Sequence, residues 1–467
     1  MRLLLFAVRW MKKYKKNRSV DMKCFSSQNK TLMEPARTIP VAGEYDVIVC
    51  GGGPAGAAAA IAAGRNGAKT LVLESQGCLG GIMTTGMMPK IINGIGKSGF
   101  IRELLERLQS IDAEIVHDVC DPESVKYLLE RLCDENHVSI RYHTRICQVI
   151  LDQNSGKSQI QAVITESKSG REAWIGKLFI DCTGDGDIGK FSGCSIEMGH
   201  PENGRLQPLS LCAMVGGVSY DRIAGFVHQG DGEEDERLKL FDLFEKLGKP
   251  SSYSLPSLFL LEKNGRYIYM SNHQYGVSPY DARALTQATL DARKEIYEQI
   301  QALNHSSEKV WKSLRLYATG SHIGIREGGR IKGLYTVTVN DIREGKHHPD
   351  AICSISAGVD IHAMQPNEDS KAAFSDGGIK IAMYDIPLRA LIAEECSNLL
   401  MAGRCISGDF YAHASYRVLG GAIPMGEGAG KFAAWLIRNN LVPNAETALN
   451  FVENNKIQER KQEVFYV

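Results

Sequence analysis

The clearest chemistry in this sequence lies in six residues, Gly51-Gly52-Gly53-Pro54-Ala55-Gly56, followed 23 residues after Gly51 by the acid Glu74. This spacing has a physical use if a strand ends just before Gly51 and a helix starts just after Gly53. Gly51 then makes a tight turn, Gly53 lets backbone approach a pyrophosphate, and Gly56 lets the helix pack on the strand. Pro54 and Ala55 open that helix, whose N-terminal amides and positive dipole end face the phosphates. Glu74, closing a second strand, would accept hydrogen bonds from ribose hydroxyls. The flanking residues supply the required elements. Residues 45–50 are a β-branched run, 54–66 are almost all Ala, Gly and Ile, and 70–74 read Thr-Leu-Val-Leu-Glu. A Rossmann-type βαβ unit that binds a dinucleotide is predicted, with strands at 45–50 and 70–74 around a helix of small side chains.

Three later stretches decide which dinucleotide. Residues 74–81 read Glu-Ser-Gln-Gly-Cys-Leu-Gly80-Gly81, residues 180–187 read Ile-Asp-Cys-Thr183-Gly184-Asp185-Gly-Asp, and residues 398–407 read Asn-Leu-Leu-Met-Ala-Gly403-Arg404-Cys-Ile-Ser. Together they resemble the two-dinucleotide-binding-domain flavoproteins of the glutathione-reductase-like superfamily, in which an acid and a downstream Gly-Gly pair line FAD and a second motif contacts the flavin. Met33 to Arg37, Gly43 to Asp46, Arg326-Glu-Gly-Gly-Arg330 and Ser415-Tyr416-Arg417-Val look like one branch, the FAD-dependent oxidoreductases related to the heterodisulfide reductase A flavoprotein. The resemblance runs from about residue 33 to about residue 440. It implies FAD as cofactor and adds Gly80, Gly81, Thr183, Gly184, Asp185, Gly403 and Arg404 to the cofactor contacts, with Gly421 in the following small-residue helix.

The sequence also departs from that pattern. No cysteine pair follows Gly80-Gly81, so dithiol chemistry has no framework, and iron–sulfur cysteine motifs are absent. Many superfamily members have Gly-Asp where this chain has Gly403-Arg404. Gly184 to Gly189 formally spells a second glycine fingerprint, but no suitable strand and acid follow it, which argues against a separate NAD domain. Flavins perform the redox step themselves, and protein groups orient substrate and move protons. The candidates for those tasks are Arg326, Arg330, His413, Tyr416 and Arg417. The arginines suit an anionic substrate held bidentately, and His413 or Tyr416 a proton carrier.

Beyond these motifs, the chain of 467 residues is long enough for more than one domain. The expected fold is α/β: a split FAD-binding domain at 41–204 and 371–440, an inserted α+β substrate or cap domain at 205–370, a basic tail at 1–40 and a C-terminal segment at 441–467. Strands are also predicted at 139–150, 160–166, 178–180, 257–261, 266–270, 334–339 and 398–402. Helices are predicted at 100–109, 122–133 and 281–302, with a polar loop leading to another from about Gly421. The formal charge is zero, but residues 1–30 hold nine Lys/Arg against one Asp, leaving the remainder net acidic. That body has no cationic field for nucleic acid. The apolar run Leu3–Val8 is too short to span a membrane and lies in the wrong order for a secretory signal, so a disordered tail, a start at Met22 or Met33, or a surface-binding helix are the readings. Twelve cysteines without a CxxC pair point to a reducing compartment, with cytoplasm the default, and Cys50 and Cys182 read as buried thiols. His347-His348 has no further ligand at usable spacing, and no metal is expected. A small-molecule oxidoreductase is the leading expectation. Its rivals are an electron-transfer subunit serving an iron–sulfur partner and a non-redox dinucleotide-binding module.

Overall fold

The computed structural model describes residues 34–463 except 95, 112–117, 153–156, 229–234 and 370–372, with side chains described to residue 454. The readings of the basic tail fall on residues 1–33 and lie outside the described residues. The described residues from Pro40 onward form one compact unit.

Strand β1 (Val41–Cys50) becomes fully buried over its last four residues, as a β-branched run beneath two layers should. It leads through the glycine run into α1 (Pro54–Arg65), whose residues from Ala55 to Ala63 are all buried. The chain then returns in β2 (Thr70–Leu73), parallel to β1 with Val47 opposite Thr70. Helices α2 (Phe100–Ser110) and α3 (Pro122–Glu135) follow, the second capped by Asp121 with Pro122 in its first turn. The stretch expected as one strand at 139–150 is two: β3 (Ser139–Arg141) and β4 (Arg145–Asp152). The break falls at His143, whose φ of 51° takes the chain out of extended geometry. Strands β5 (Gln159–Ser167) and β6 (Gly170–Asp181) complete this part.

These strands form a mixed sheet in the order β3-β2-β1-β6-β5-β4, parallel from β3 to β6 and antiparallel beyond. The second half of β6 takes a further parallel partner from the far end of the chain, Leu399–Met401, with Leu400 opposite Ile180. The N-terminal and C-terminal parts therefore share one sheet.

Small residues explain how α1 lies so deep. The long helix Leu419–Asn439 crosses it, and a Cβ placed on Gly426 or Gly430 would fall 2.0 Å from the Ala55 carbonyl oxygen or 2.1 Å from that of Ala59. Only glycine allows backbones to meet this closely.

Between the two halves lies a four-stranded antiparallel sheet, Arg315–Thr319, Cys212–Gly216, Arg266–Met270 and Ser257–Glu262 in spatial order. It packs with the helix Ala282–His305, capped by Asp281, around its own apolar cluster of Val215, Tyr267, Tyr269, Ile296 and Trp311. Two further sequence expectations need correction. Residues 334–339 are not a strand: Thr338 and Asp341 form a capping box that starts the helix Val339–Glu344 instead. The polar loop expected before Gly421 contains the helix Phe410–Tyr416, because Asp409 accepts a hydrogen bond from the Ala412 amide and caps it. Among the described residues no helix is long and apolar enough to cross a membrane.

Candidate functional site

The glycine run turns at Gly51, where φ is 98° and an added Cβ would lie 2.6 Å from the Cys182 carbonyl oxygen. At Gly56 a Cβ would lie 1.9 Å from the Gly51 carbonyl oxygen, so this residue holds helix against turn. Gly53 differs: a Cβ there would meet nothing within 4 Å, because that side opens into a cavity. Glu74 fixes the loop from below. Its Oε2 accepts from the Gly52 amide at 2.7 Å, and its Oε1 accepts from the Gln76 amide at 2.7 Å and the Ser75 hydroxyl at 3.1 Å. Much of its acceptor capacity therefore goes to its own chain. Gly80 and Gly81 both take positive φ, and a Cβ on Gly81 would come within 2.9 Å of the Gly53 Cα.

The cavity measures about 610 Å³ and takes its lining from both sheets. Gly51, Gly53, Pro54, Glu74, Gly81, Thr183, Gly184 and Arg404 line it from the βαβ side, and Ser210, Cys212, Met270 and Arg326 from the region of the antiparallel sheet. The residues fit the dinucleotide that the glycine run implies. The α1 N-terminus opens at the space beside Gly53, and Arg404, which donates to Asp185 Oδ1 at 3.0 Å, keeps Nη1 buried with no hydrogen-bond partner. A buried guanidinium N–H without an acceptor is costly, and a phosphate oxygen would satisfy it. Arg404 thus supplies the cavity with a donor.

Asp181 organises the neighbouring loop. Its carboxylate is fully buried and accepts from the amides of Thr183, Ile188 and Gly189 and from the Thr183 hydroxyl at 2.7 to 3.1 Å. The formal fingerprint from Gly184 to Gly189 is therefore held by an internal acid. Burial, with Asp181 and Asp185 nearby, pushes the cavity-lining Asp187 up to about 7.

Several nominated residues lie behind the lining. Ala55 and Gly56 are buried inside α1, and Gly80 and Gly403 serve turns of positive φ. Asp185 is the partner of Arg404, and Gly421 packs on the Tyr416 carbonyl. The candidate catalytic set divides sharply. Arg326 and Arg417 line the cavity, whereas Arg330, His413 and Tyr416 do not. Arg330 is buried in an ion pair with Glu327 at 2.9 Å and donates to the Gly408 carbonyl. Tyr416 is fully buried and donates to the Ile406 carbonyl at 3.1 Å. His413 is fully buried, has no partner at either ring nitrogen, and is held neutral by burial and then by Arg330 and Arg417. A proton carrier must reach the reacting group, so the expected roles of Arg330, His413 and Tyr416 at the substrate are set aside.

The structure adds residues that no local pattern singled out. Asp360 lines the cavity, and its Oδ2 lies 3.1 Å from Arg417 Nη2 and 3.3 Å from His362 Nε2. Behind it stand His362, His273 and Asp369 in a row. Residues 273 and 362 are 89 positions apart, and only the approach of two chain segments joins them. Among the described residues no group of His, Cys, Asp and Glu is placed to hold a metal.

Comparison with known proteins shows the family. A family profile described as FAD dependent oxidoreductase matches residues 46–455. The fold is also similar to solved structures at low identity. A geranylgeranyl bacteriochlorophyll reductase-like protein from Thermoplasma acidophilum is 14% identical over 90% of this chain and 84% of that one, with a TM-score of 0.42. The p-nitrophenol 4-monooxygenase PnpA from Pseudomonas putida DLL-E4 is 11% identical over 88% and 84%, with a TM-score of 0.42. The flavin-dependent brominase Bmp2 is 11% identical over 85% and 79%, also with a TM-score of 0.42. With the profile covering most of the sequence, the chain belongs to the FAD-dependent oxidoreductase family, and its cofactor is FAD.

Proposed function

We propose that this protein oxidises or reduces a small anionic organic molecule by hydride transfer, with Arg326 as the group that holds the anion. The observation that carries this reading is the company Arg326 keeps. On the cavity wall its guanidinium donates to the Pro208 carbonyl and the Ser210 hydroxyl, both at 2.8 Å, and to the Met270 sulfur at 3.9 Å. All three acceptors are neutral and Asp360 acts on Arg326 only through space, whereas Arg417 and Arg404 are each in a direct ion pair with a carboxylate. A cation held by neutral acceptors in a partly desolvated cavity favours an anionic ligand.

In this reading Gly53 and Arg404 would hold the FAD pyrophosphate and Glu74 the adenosine ribose. Bound FAD supplies hydride acceptance and donation. The chain's own tasks are to fix the cofactor, bind the anion at Arg326, keep water out with Ile82, Met88 and Met270, and exchange a proton at Asp360. The antiparallel sheet with its separate apolar cluster supports a substrate or cap domain inserted into a split, glutathione-reductase-like FAD domain. The narrower kinship with the heterodisulfide reductase A branch rests on the stretches 326–330 and 415–418 alone. Two of their residues, Arg330 and Tyr416, are explained by internal packing.

The test is a titration of the holoprotein with a panel of small carboxylates, followed through the flavin absorbance spectrum. Saturable perturbation in the wild type, lost in Arg326→Gln at unchanged FAD content, is the expected result. A wild type that responds to neutral analogues alone would sink the anionic reading. Turnover of a small molecule without any added protein carrier separates this function from that of an electron-transfer subunit.

A further inference from the structure

We propose that Asp360, His362, His273 and Asp369 form a proton relay between the cavity and a buried carboxyl store. This rests on reading the cavity as the substrate site. The row is continuous: His362 Nε2 is 3.3 Å from Asp360 Oδ2, His362 Nδ1 is 3.1 Å from His273 Nε2, and His273 Nδ1 is 3.0 Å from Asp369 Oδ1. Each imidazole is approached through both of its ring nitrogens, the arrangement a proton-conducting ring needs.

The chemistry of the row limits how protons can be placed. A neutral imidazole carries one N–H, so an ionised Asp360 accepting from His362 Nε2–H leaves His362 Nδ1 as an acceptor. That acceptor requires His273 Nε2–H, which in turn leaves His273 Nδ1 facing Asp369. Asp369 must then hold a proton and donate it. A concerted shift of three protons, one from each donor to its neighbour, turns Asp360 into the acid and Asp369 into the carboxylate. Proton number is unchanged, and one negative charge moves from the cavity to the interior. In the reducing direction, where bound flavin would supply the hydride to a C=X substrate, X takes its proton from Asp360 after this shift, which leaves both carboxyls ionised. Oxidation of a CH–XH substrate runs back from that state: the proton from X enters at Asp360 and the row refills Asp369.

The surroundings favour this placement. Burial, with Arg326, lowers His362 to about 4, and burial, Arg326, His362 and Arg237 hold His273 well below its ordinary value, so both rings are neutral near pH 7. Burial raises Asp369 despite its hydrogen bonds from Ser254 and Tyr275. Burial also acts to raise Asp360, but His362, Arg417 and Arg326 outweigh it and keep that carboxyl ionised. Its side chain is nonetheless 43% exposed to the cavity, whereas that of Asp369 is 5% exposed. Tyr253 lies against His273 with ring centroids 4.0 Å apart and is held by Arg237 through its hydroxyl at 2.6 Å, which fixes the ring plane.

The experiment needs no substrate. Infrared difference spectra of the holoprotein against Asp369→Asn and Asp360→Asn show whether Asp369 or Asp360 is a carboxylic acid, with other raised carboxyls such as Asp187 cancelling in the difference. Nitrogen-15 spectra of ring-labelled histidine show the tautomers. The expected result is a carboxylic acid band removed by Asp369→Asn and not by Asp360→Asn, with His273 and His362 neutral and carrying their protons on Nε2. Two ionised carboxylates around an imidazolium would make the cluster a static ion-pair network and overturn the relay. The wild-type nitrogen spectrum alone decides this if a variant does not fold. Failure of the carboxylate titration at Arg326 would leave these spectra unchanged, so the two readings fail separately.

Discussion

The wall carrying Gly51, Gly53 and Gly81 is made of backbone, whereas the facing residues Arg326, Asp360 and Arg417 act through side chains. Their tolerances differ accordingly. The backbone wall is specified over one short stretch, where each glycine is required by a contact of 3 Å or less or by open space at the cavity. The side-chain wall is assembled from positions scattered between residues 210 and 417, held by one another's hydrogen bonds. A substitution in the first should act on the cofactor and in the second on what meets the cofactor.

The most drastic way to break this comparison is to place bulk within the glycine run. Gly53→Val should fold and fail to retain FAD, because its side chain has room in the protein but fills the space of the phosphates. Gly56→Val should fail earlier, in soluble yield or thermal stability, because its Cβ would overlap the Gly51 carbonyl. Thermal unfolding with FAD released and counted for each variant checks both. Equal loss of fold in the two would mean that Gly53 is a packing residue and not the phosphate contact.

Glu74→Ala should cost about 2–4 kcal/mol of holoprotein stability, since it leaves two amides without the acceptor they now share and, in the proposed placement of FAD, removes a ribose contact. Measured by denaturant unfolding with and without FAD, most of the loss should persist in the apo-protein. If only the holoprotein suffers, Glu74 acts on the ribose alone, and its bonds to Gly52 and Gln76 contribute nothing. Arg326→Gln should be milder. Stability and FAD content should stay near wild type, while carboxylate affinity falls by about 1.5–3 kcal/mol, roughly 10-fold to 150-fold in Kd. Loss of FAD from this variant would show that the two walls are one unit.

The same contrast explains what could be read from sequence. The βαβ unit was legible because its requirement is local: a buried strand, a glycine run, a helix of small residues and an acid at the next strand end all fall within 45–74. The return of Leu399–Met401 to the same sheet also carried a local signature. The catalytic candidates followed motif wording, and that pointed to Arg330, His413 and Tyr416, which turn out to be buried and matched to internal partners or none. His413 and His362 illustrate the limit. Each has an acid nearby in sequence, Asp360 two residues before His362 and Asp409 four before His413, so a neighbouring acid does not tell which histidine will meet a carboxylate at a cavity. What separates them is His273, 89 positions from His362 and brought there by the strand end at Met270. Spacing along a chain encodes periodicity, not such encounters. The 334–339 stretch failed for a related reason. Its β-branched residues suit a strand, but the Thr338–Asp341 capping box satisfies the backbone as a helix start.

The smallest expected effect lies where the two walls meet, at Asp187. This carboxyl sits in the lining near Thr183 and Gly184, pushed up to about 7 by burial and by Asp181 and Asp185, with Arg145 and Lys190 acting in the opposite direction. An unfolded Asp titrates near about 3.9. The folded-state value is raised, so between about 4 and about 7 the folded chain holds a proton that the unfolded chain has released. The stabilisation linked to this group is therefore fully present below about 4 and lost as pH rises through about 7. A bound pyrophosphate adds negative charge nearby and favours the neutral carboxyl further, so FAD retention should weaken in the same direction. Apo-protein Tm and the FAD dissociation rate should both drift between about pH 5 and about pH 8, and Asp187→Asn should flatten both profiles. A flat wild-type profile would mean that Asp187 is already ionised and paired at the edge of the backbone wall. The pyrophosphate would then be balanced by Arg404 and the helix amides without help from a neutralised acid.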